Sequence, residues 1–440
     1  KKKSISCIEN NTLSKNTTTS KKGSSVNGNS RNSFNLNSNN TRIHTLVHTP
    51  KYMGGDEPTL IDLFSGCGGL GLGFHNAGFK TELANEIHID PATTYSYNLL
   101  KENPESMIIG SIDRVLSNKK LDKIGFKKGE ITCISGGPPC QGFSNAGLGI
   151  ASDPRNKLYR EYLRVVRKLR PKSILFENVP GFSNRYGLNL KNHLIESLEK
   201  MGYATDSNVV QSKDYGVPQL RKRFVTIGVH QDFLNGKDIV LPKATWSKDE
   251  LEKYLTASKV LDDLDTYHLK GGYGSGEIDG PDKYLKPAKS KFQREMREKT
   301  GHKSSDETWN TRIPNHTNIV QRRMRKIQNG STLDSLKGSD LETAKHSHRV
   351  IHKERIPNIT VVSIPDDYIH YNRDLPRTLS VRECARLQTF PDHFRFLGKR
   401  TTGGKRRRFE VPQYTQVANA IPPRMAEVFA KKLLEIIEVP

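Results

Sequence analysis

The run Thr59-Leu60-Ile61-Asp62-Leu63-Phe64, followed at once by Ser65-Gly66-Cys67-Gly68-Gly69-Leu70-Gly71-Leu72-Gly73, constrains this 440-residue chain more than any other stretch. A short apolar strand that runs into a glycine-rich turn, and then into helical spacing over 71–78, opens a strand–helix unit. Further strands are predicted at 80–85, 130–135, 173–177 and 223–229, with helical spacing over 157–168. Strands that alternate with helices build a doubly wound α/β sheet. The patterning lapses over 244–375, which is polar and rich in Gly, Lys, Arg and His. It returns at 379–387 and in one final helix predicted over 416–437.

Charge narrows the choice of partner. Lys and Arg number 70 against 47 Asp and Glu, a net charge of +23. Eight of the cations and one Glu fall in residues 1–50, which leaves +16 on the remainder, so the folded part is basic too. Such a balance favours a polyanion, because Lys and Arg release counterions from a phosphate backbone. Ser, Thr and Asn supply 26 of the first 50 residues, a composition that cannot bury enough surface to fold alone, and disorder is expected there. No run of about 18 apolar residues spans a membrane, and no apolar stretch follows Lys1-Lys2-Lys3-Ser4 as it would in a signal peptide. The five cysteines make no C-x-x-C pair, which argues for a reducing compartment and against a disulfide framework. His346-Ser347-His348 with His352 lacks the four well-spaced ligands of a structural zinc site, so no metal is expected.

Four stretches carry chemistry. In the glycine loop, residues 64–69 bring backbone amides to the start of a helix, and Glu86 lies at the end of the next strand, where an acid holds ribose hydroxyls. A nicotinamide cofactor would fit that loop as well. Gly137-Pro138-Pro139-Cys140-Gln141-Gly142-Phe143-Ser144 places a cysteine after a strand in a stiffened loop, and a flexible stretch over 144–156 has the composition of a lid. A thiolate is the strongest ordinary nucleophile, and neighbouring cations lower its pKa. Glu177-Asn178-Val179 ends a buried strand, where burial keeps a carboxyl protonated as a general acid. Gln219, Arg221 and Arg223 alternate, so one strand face would carry all three. Each feature alone has a plain structural reading: a tight turn, an inert thiol, a structural carboxylate, a solvated strand face.

Together, and in this order, they resemble the DNA (cytosine-5)-methyltransferase family, of the bacterial restriction–modification type. The resemblance adds Arg377-Thr378-Leu379-Ser380-Val381-Arg382-Glu383-Cys384-Ala385-Arg386-Leu387-Gln388 and Gln416-Val417-Ala418-Asn419-Ala420-Ile421-Pro422-Pro423. It implies a doubly wound, Rossmann-like S-adenosylmethionine-dependent methyltransferase domain with a smaller irregular target-recognition domain across a DNA-binding cleft. The implied division is a disordered basic tail over 1–56, a catalytic and cofactor domain over 57–243, a target-recognition domain over 244–412, and a C-terminal segment over 413–440 that returns to the catalytic domain.

The resemblance also implies roles. Cys140 is the nucleophile toward C6 of cytosine, Glu177 the acid at N3 and the exocyclic amine, Arg223 the holder of O2, and Arg221 the residue that orients the thiol loop. S-adenosylmethionine would contact Phe64, Gly66, Cys67, Gly68, Gly69, Glu86, Ile87, Ser111, Ile112, Pro138 and Asn419. Two departures stand out: Ser111 occupies the position of the family's usual adenine-binding Asp, with Asp113 nearby, and Ala418-Asn419-Ala420 replaces the common Gly-Asn-Ser. DNA contacts are expected from Pro139, Gln141, Ser144, Asn178, Gln219, Arg323 and Arg407, the last two within basic runs. The target base is expected to be flipped out of double-stranded DNA, by a cytoplasmic, nucleoid-associated bacterial monomer whose cognate restriction endonuclease forms no stable complex with it. Transfer RNA methylation is disfavoured by the long middle segment. A silent DNA-binding relative is disfavoured by the intact Cys140, Glu177 and Arg223.

Overall fold

A computed structural model describes residues 57–117, 128–139, 158–183, 189–264, 280–298, 307–314, 316–327, 333–343, 349–357, 359–372, 376–402, 406 and 409–437. The first strand, β1 (Thr59–Leu63), is followed by α1 (Gly69–Asn76), β2 (Lys80–Glu86), α2 (Ile89–Leu99), β3 (Met107–Ile109), a single helical turn α3 (Asp113–Leu116) and β4 (Cys133–Gly136). Next come α4 (Leu158–Leu169), β5 (Ser173–Asn178), α5 (Leu190–Glu199), β6 (Tyr203–Gln211) and β7 (Lys222–His230). These strands form one seven-stranded sheet in the order β3-β2-β1-β4-β5-β7-β6. β1 to β5 are parallel, and β7 runs antiparallel to both β5 and β6. The chain order reverses between β1 and β4, and doubly wound sheets bind ligands at such a crevice, outside the carboxyl ends of the strands.

Both faces of the sheet are covered. In α4 the apolar residues Tyr159, Tyr162, Leu163, Val166 and Leu169 recur at helical spacing and are buried against Ile61, Leu63, Ile134 and Phe176. On the other face Leu60, Cys133, Leu175 and Ile227 pack against Phe429, Leu433 and Ile436 of the C-terminal helix. Burying each such side chain contributes about 1.5–3 kcal/mol. A third core joins Cys67 and Leu72 to Leu251, Val260, Phe292, Val361, Leu387 and Val417, so residues of 244–412 share a continuous apolar interior with the glycine-loop helix.

The segment after the sheet holds short elements only: α6 (Lys248–Tyr254), α7 (Ala257–Leu261), β8 (Asp282–Lys283), α8 (Lys291–Arg297), β9 (Glu307–Thr308), α9 (Asn318–Lys326), β10 (Arg349–Val350), β11 (Tyr368–Ile369) and α10 (Val381–Leu387). The final helix predicted as one is two, α11 (Gln413–Asn419) and α12 (Pro423–Ile437). Pro422 and Pro423 lack the amides that would continue a helix, and Pro423 instead begins the second one. β3, the edge strand β6 and the helices α2 and α5 lie beyond the predicted elements. Most residues of β6 are polar and only partly buried, so its apolar alternation is weak. Among the described residues no helix is long and apolar enough to cross a membrane.

Candidate active site

The sheet brings two corners to the carboxyl edge of β1, β2, β4 and β5. At the first, the chain leaves β1 with Phe64, Gly66 and Gly68 all at positive φ (54°, 55° and 101°). Glycine accepts that conformation freely, whereas Phe64 is held in it by its surroundings. A Cβ on Gly66 would meet nothing within 4 Å, so the backbone there faces open space. Gly69, Gly71 and Gly73 serve a different end. Their Cβ positions fall 2.2 Å from the Ile421 carbonyl oxygen, 2.4 Å from the Tyr95 hydroxyl and 2.4 Å from the Ala426 Cβ, so they let α1 lie against α2 and α12.

Glu86 ends β2 facing this loop. Its Oε2 accepts from the Gly66 amide at 3.0 Å and its Oε1 from the His88 amide at 2.9 Å. Burial raises its pKa, and these amide donors oppose the rise. Each carboxylate oxygen keeps a lone pair for a further donor, such as a sugar hydroxyl. Ile87, the next residue, is 62% exposed, a large apolar side chain left uncovered beside a polar carboxylate. Open backbone, acid and apolar plate together fit a nucleoside. Asn85, which the sequence reading passed over, sets the neighbouring loop: its Nδ2 donates to the carbonyls of Ile108 at 2.8 Å and Gly110 at 3.0 Å. β2 is itself largely polar, so no break in an apolar alternation marks Asn85 in the sequence. Ser111 and Asp113 are one unit, since the Ser111 hydroxyl donates to Asp113 Oδ2 at 2.9 Å and both are exposed. The Ile112 side chain is buried in the core with Val115.

At the second corner, Glu177 is the next-to-last residue of β5 and Arg223 the second of β7, with Arg223 Nε 2.9 Å from Glu177 Oε1. The antiparallel register pairs Glu177 with Val225 and Asn178 with Phe224, which sets the two side chains against each other. Burial raises the Glu177 pKa, opposed by the charges of Arg223 and Arg221. Burial likewise lowers that of Arg223. The loop after β4 is pressed onto this pair: a Cβ on Gly137 would sit 2.8 Å from Glu177 Oε2. Asn178 Nδ2 donates to the Pro138 carbonyl at 2.9 Å, which fixes the loop just before Cys140. Pro138 is buried and Pro139 exposed.

Two expectations are corrected. Gln219, Arg221 and Arg223 do not share a strand face, because β7 begins at Lys222. Gln219 is fully buried and has no surface to offer DNA. It donates to the Leu387 carbonyl at 2.8 Å and to Gln388 Oε1 at 2.7 Å, and its Oε1 accepts from the Val361 amide at 3.1 Å. Arg221, 1% exposed, donates to the carbonyls of Ala418 at 2.8 Å and Ala420 at 3.0 Å. Gln388 Nε2 donates to Val417 and Ala420. These three side chains pin the end of α11, and with it the exposed Asn419, to the sheet.

Cys67 also turns inward. Its thiol donates to the Gln416 carbonyl at 3.4 Å in the third core, and burial pushes its pKa up. The Arg323 guanidinium bonds the carbonyls of Leu341 and Glu342, and Arg322 pairs with Asp340 at 2.6 Å at the surface. Cys140, Gln141, Ser144, Arg407, the tail 1–56 and His346 and His348 lie outside the described residues.

A sequence profile of the C-5 cytosine-specific DNA methylase family matches residues 59–435. The Type II methyltransferase M.DdeI of Desulfomicrobium norvegicum is 31% identical over 395 residues, covering 85% of this chain and 88% of the relative. The Type II methyltransferase M.MthTI of Methanothermobacter thermautotrophicus is 33% identical, covering 86% of this chain and 98% of the relative. Among solved structures, a prophage-encoded E. coli protein described as a DNA modification methyltransferase superposes with a TM-score of 0.65 at 26% identity, over 86% of this chain and 99% of that one. The Entamoeba histolytica methyltransferase EhMeth shares the fold, with a TM-score of 0.54 at 15% identity. The chain belongs to the C-5 cytosine-specific DNA methylase family and is a DNA (cytosine-5)-methyltransferase.

Proposed function

We propose that the enzyme methylates C5 of a flipped-out cytosine in a short specific sequence of double-stranded DNA, through a covalent Cys140–C6 intermediate, as the modification enzyme of a restriction–modification system. The Type II methyltransferases among its relatives support that setting. The observation that carries the reading is the Glu177–Arg223 pair, with Gly137 pressed against the carboxyl and Pro138 held by Asn178. That arrangement brings the chain that continues into Pro139 and Cys140 toward a largely buried acid beside a fixed cation.

In this reading the Cys140 thiolate adds to C6 and pushes electron density toward C5. Glu177, its carboxyl favoured in the protonated form by burial, gives a proton to N3. Arg223 holds O2 and Arg221 keeps the α11 end in place. S-adenosylmethionine, when bound at the first corner, would supply the methyl group to C5 and leave as S-adenosylhomocysteine. Glu86 would accept the ribose hydroxyls, Phe64 and Ile87 would flank the adenine, the Ser111–Asp113 unit would face its amino group, and the backbone of 66–69, Pro138 and Asn419 would complete the contact. Loss of the C5 proton to solvent and departure of the Cys140 thiolate then restore the C5–C6 double bond, and the N3 proton returns to Glu177. Residues 244–412 would read the target sequence, and the enzyme would work as a cytoplasmic monomer.

The test is to incubate the protein with S-adenosylmethionine and unmethylated duplex DNA of genomic complexity and to map 5-methylcytosine by bisulfite sequencing. Methylation confined to one short motif is expected from the wild type and none from Cys140→Ser. Methylation by the serine variant at near wild-type rate would remove the nucleophile assignment. Methylation without sequence preference would remove the restriction–modification reading.

A further inference from the structure

Asp62 and Tyr95 lie fully buried beneath the glycine loop, and no step of methyl transfer described above uses either of them. Asp62 stands in β1, paired with Ala84 of β2 and Ser135 of β4. Its Oδ1 accepts from the Ser135 hydroxyl at 2.7 Å. Burial pushes its pKa up to about 7, opposed by Ser135, the Tyr95 hydroxyl and the Gly71 amide, while the charge of Glu86 adds to the rise. The carboxyl therefore faces α1 at Gly71 and α2 at Tyr95.

Tyr95 supports the loop from below. A Cβ on Gly68, the N-cap of α1, would lie 3.0 Å from Tyr95 Cδ2, and one on Gly71 would run into the Tyr95 hydroxyl oxygen. The ring thus sits directly under the residues that aim the first amides of α1. Burial raises the pKa of the hydroxyl well above its ordinary value and the charge of Asp62 adds to this, so the hydroxyl keeps its proton and is a donor. Thr81 of β2 lies beside it as well. The bond to the carboxyl is nevertheless open: Asp62 Oδ2 and the Tyr95 hydroxyl are buried atoms with no hydrogen-bond partner among the described residues. A buried donor and acceptor left unmade cost free energy, so a small movement that joins them is favourable.

We infer that Tyr95 is a positioning residue of the cofactor site: when the glycine loop is loaded with S-adenosylmethionine, α1 settles onto the ring and the Tyr95 hydroxyl closes on Asp62. The inference rests on the cofactor site proposed at the first corner. It places part of the cofactor affinity in a hydrogen bond that does not touch the cofactor, made in the loaded enzyme and open in the free one, as a supporting shell does for a binding loop.

The test is Tyr95→Phe, which keeps the ring under Gly68 and removes only the hydroxyl. Binding of S-adenosylhomocysteine to the full chain is measured by titration calorimetry at pH 8, where Asp62 is mostly ionised, and the thermal midpoint is measured without ligand. The midpoint should equal or exceed that of wild type, because the hydroxyl makes no bond in the free enzyme. The affinity should weaken about tenfold or more, the worth of a hydrogen bond to a charged group. In an Asp62→Asn background, where the charge is gone, Tyr95→Phe should weaken binding by a smaller factor; an equal factor would show that the hydroxyl acts through another group, and would overturn the pairing with Asp62. A lowered midpoint overturns the inference too, because the hydroxyl would then be bonded already in the free enzyme. Unchanged affinity in Tyr95→Phe, with the wild type binding, overturns the inference and leaves the cofactor site standing. No binding by the wild type removes the site and the inference with it.

Discussion

Replacing Glu177 by glutamine keeps the shape of the side chain and removes the only proton it can give. The amide oxygen can still accept from Arg223 Nε at the 2.9 Å of the native pair. What is lost structurally is the charge component of one hydrogen bond, a cost on the order of 1–3 kcal/mol, and the protein should remain folded. What is lost chemically is general-acid assistance at N3, which contributes about 10²–10⁴-fold, or roughly 3–5 kcal/mol of barrier. Single-turnover transfer of tritiated methyl groups to DNA should therefore fall by about that factor, while cofactor affinity measured by titration calorimetry is retained. The pH profile gives a second handle. Burial raises the Glu177 pKa, so the protonated acid is lost as pH rises through that raised value. The wild-type rate should carry a corresponding falling limb that the glutamine variant lacks. A turnover within about threefold of wild type, too small for loss of a general acid, or an unchanged falling limb in the variant, would refute the acid role.

Gly137→Ala would place a methyl group 2.8 Å from Glu177 Oε2. The carboxyl is the movable end of a side chain, so the thermal midpoint should barely change, while misplacing the acid should slow transfer by about 10–100-fold; an unchanged rate would show that the contact does not position it. Arg386→Leu removes a fully buried guanidinium that bonds both Asp263 and Asp392. Urea unfolding should show a loss of about 3–5 kcal/mol, partly recovered when both aspartates become asparagine; a loss below about 1 kcal/mol, the range of exposed pairs, would contradict the buried-network account. Asp62 is fully buried, accepts from the Ser135 hydroxyl at 2.7 Å, and burial pushes its pKa up from 3.8 to about 7. Its folded form favours the proton, so its contribution is complete below pH 3.8 and is lost as pH rises through about 7. The stability of Asp62→Asn relative to wild type should then climb between those limits by up to roughly 4 kcal/mol; a pH-independent difference would exclude the buried carboxyl.

Much of this enzyme is written locally. Apolar runs at 59–64 and 173–177 bounded by Gly, Pro and Asn, and a helix such as α4 with its buried stripe, declare themselves through period and punctuation. Cys140, Glu177 and the glycine loop sit in short motifs whose order alone points to the family. The apolar and glycine content of residues 59–73 is enough to demand a strand, a turn and a helix.

Other features exist only after the chain has folded. That β7 enters between β5 and β6, antiparallel to both, sets Arg223 against Glu177, and no local pattern encodes a register between strands this far apart in sequence. The same glycine-rich run divides into an open backbone at Gly66 and close-packing positions at Gly69, Gly71 and Gly73, a division made by where α2 and α12 come to rest. Gln219 looks like a DNA contact and Arg221 like a residue that orients the thiol loop, and both are buried joints because the ends of α10 and α11 present carbonyls that need donors. Residue type and spacing determine which elements form and which chemistry is available. Burial and hydrogen-bond partners belong to pairs of residues distant in sequence, so only the tertiary structure decides which polar side chain faces the reaction and which holds the protein together.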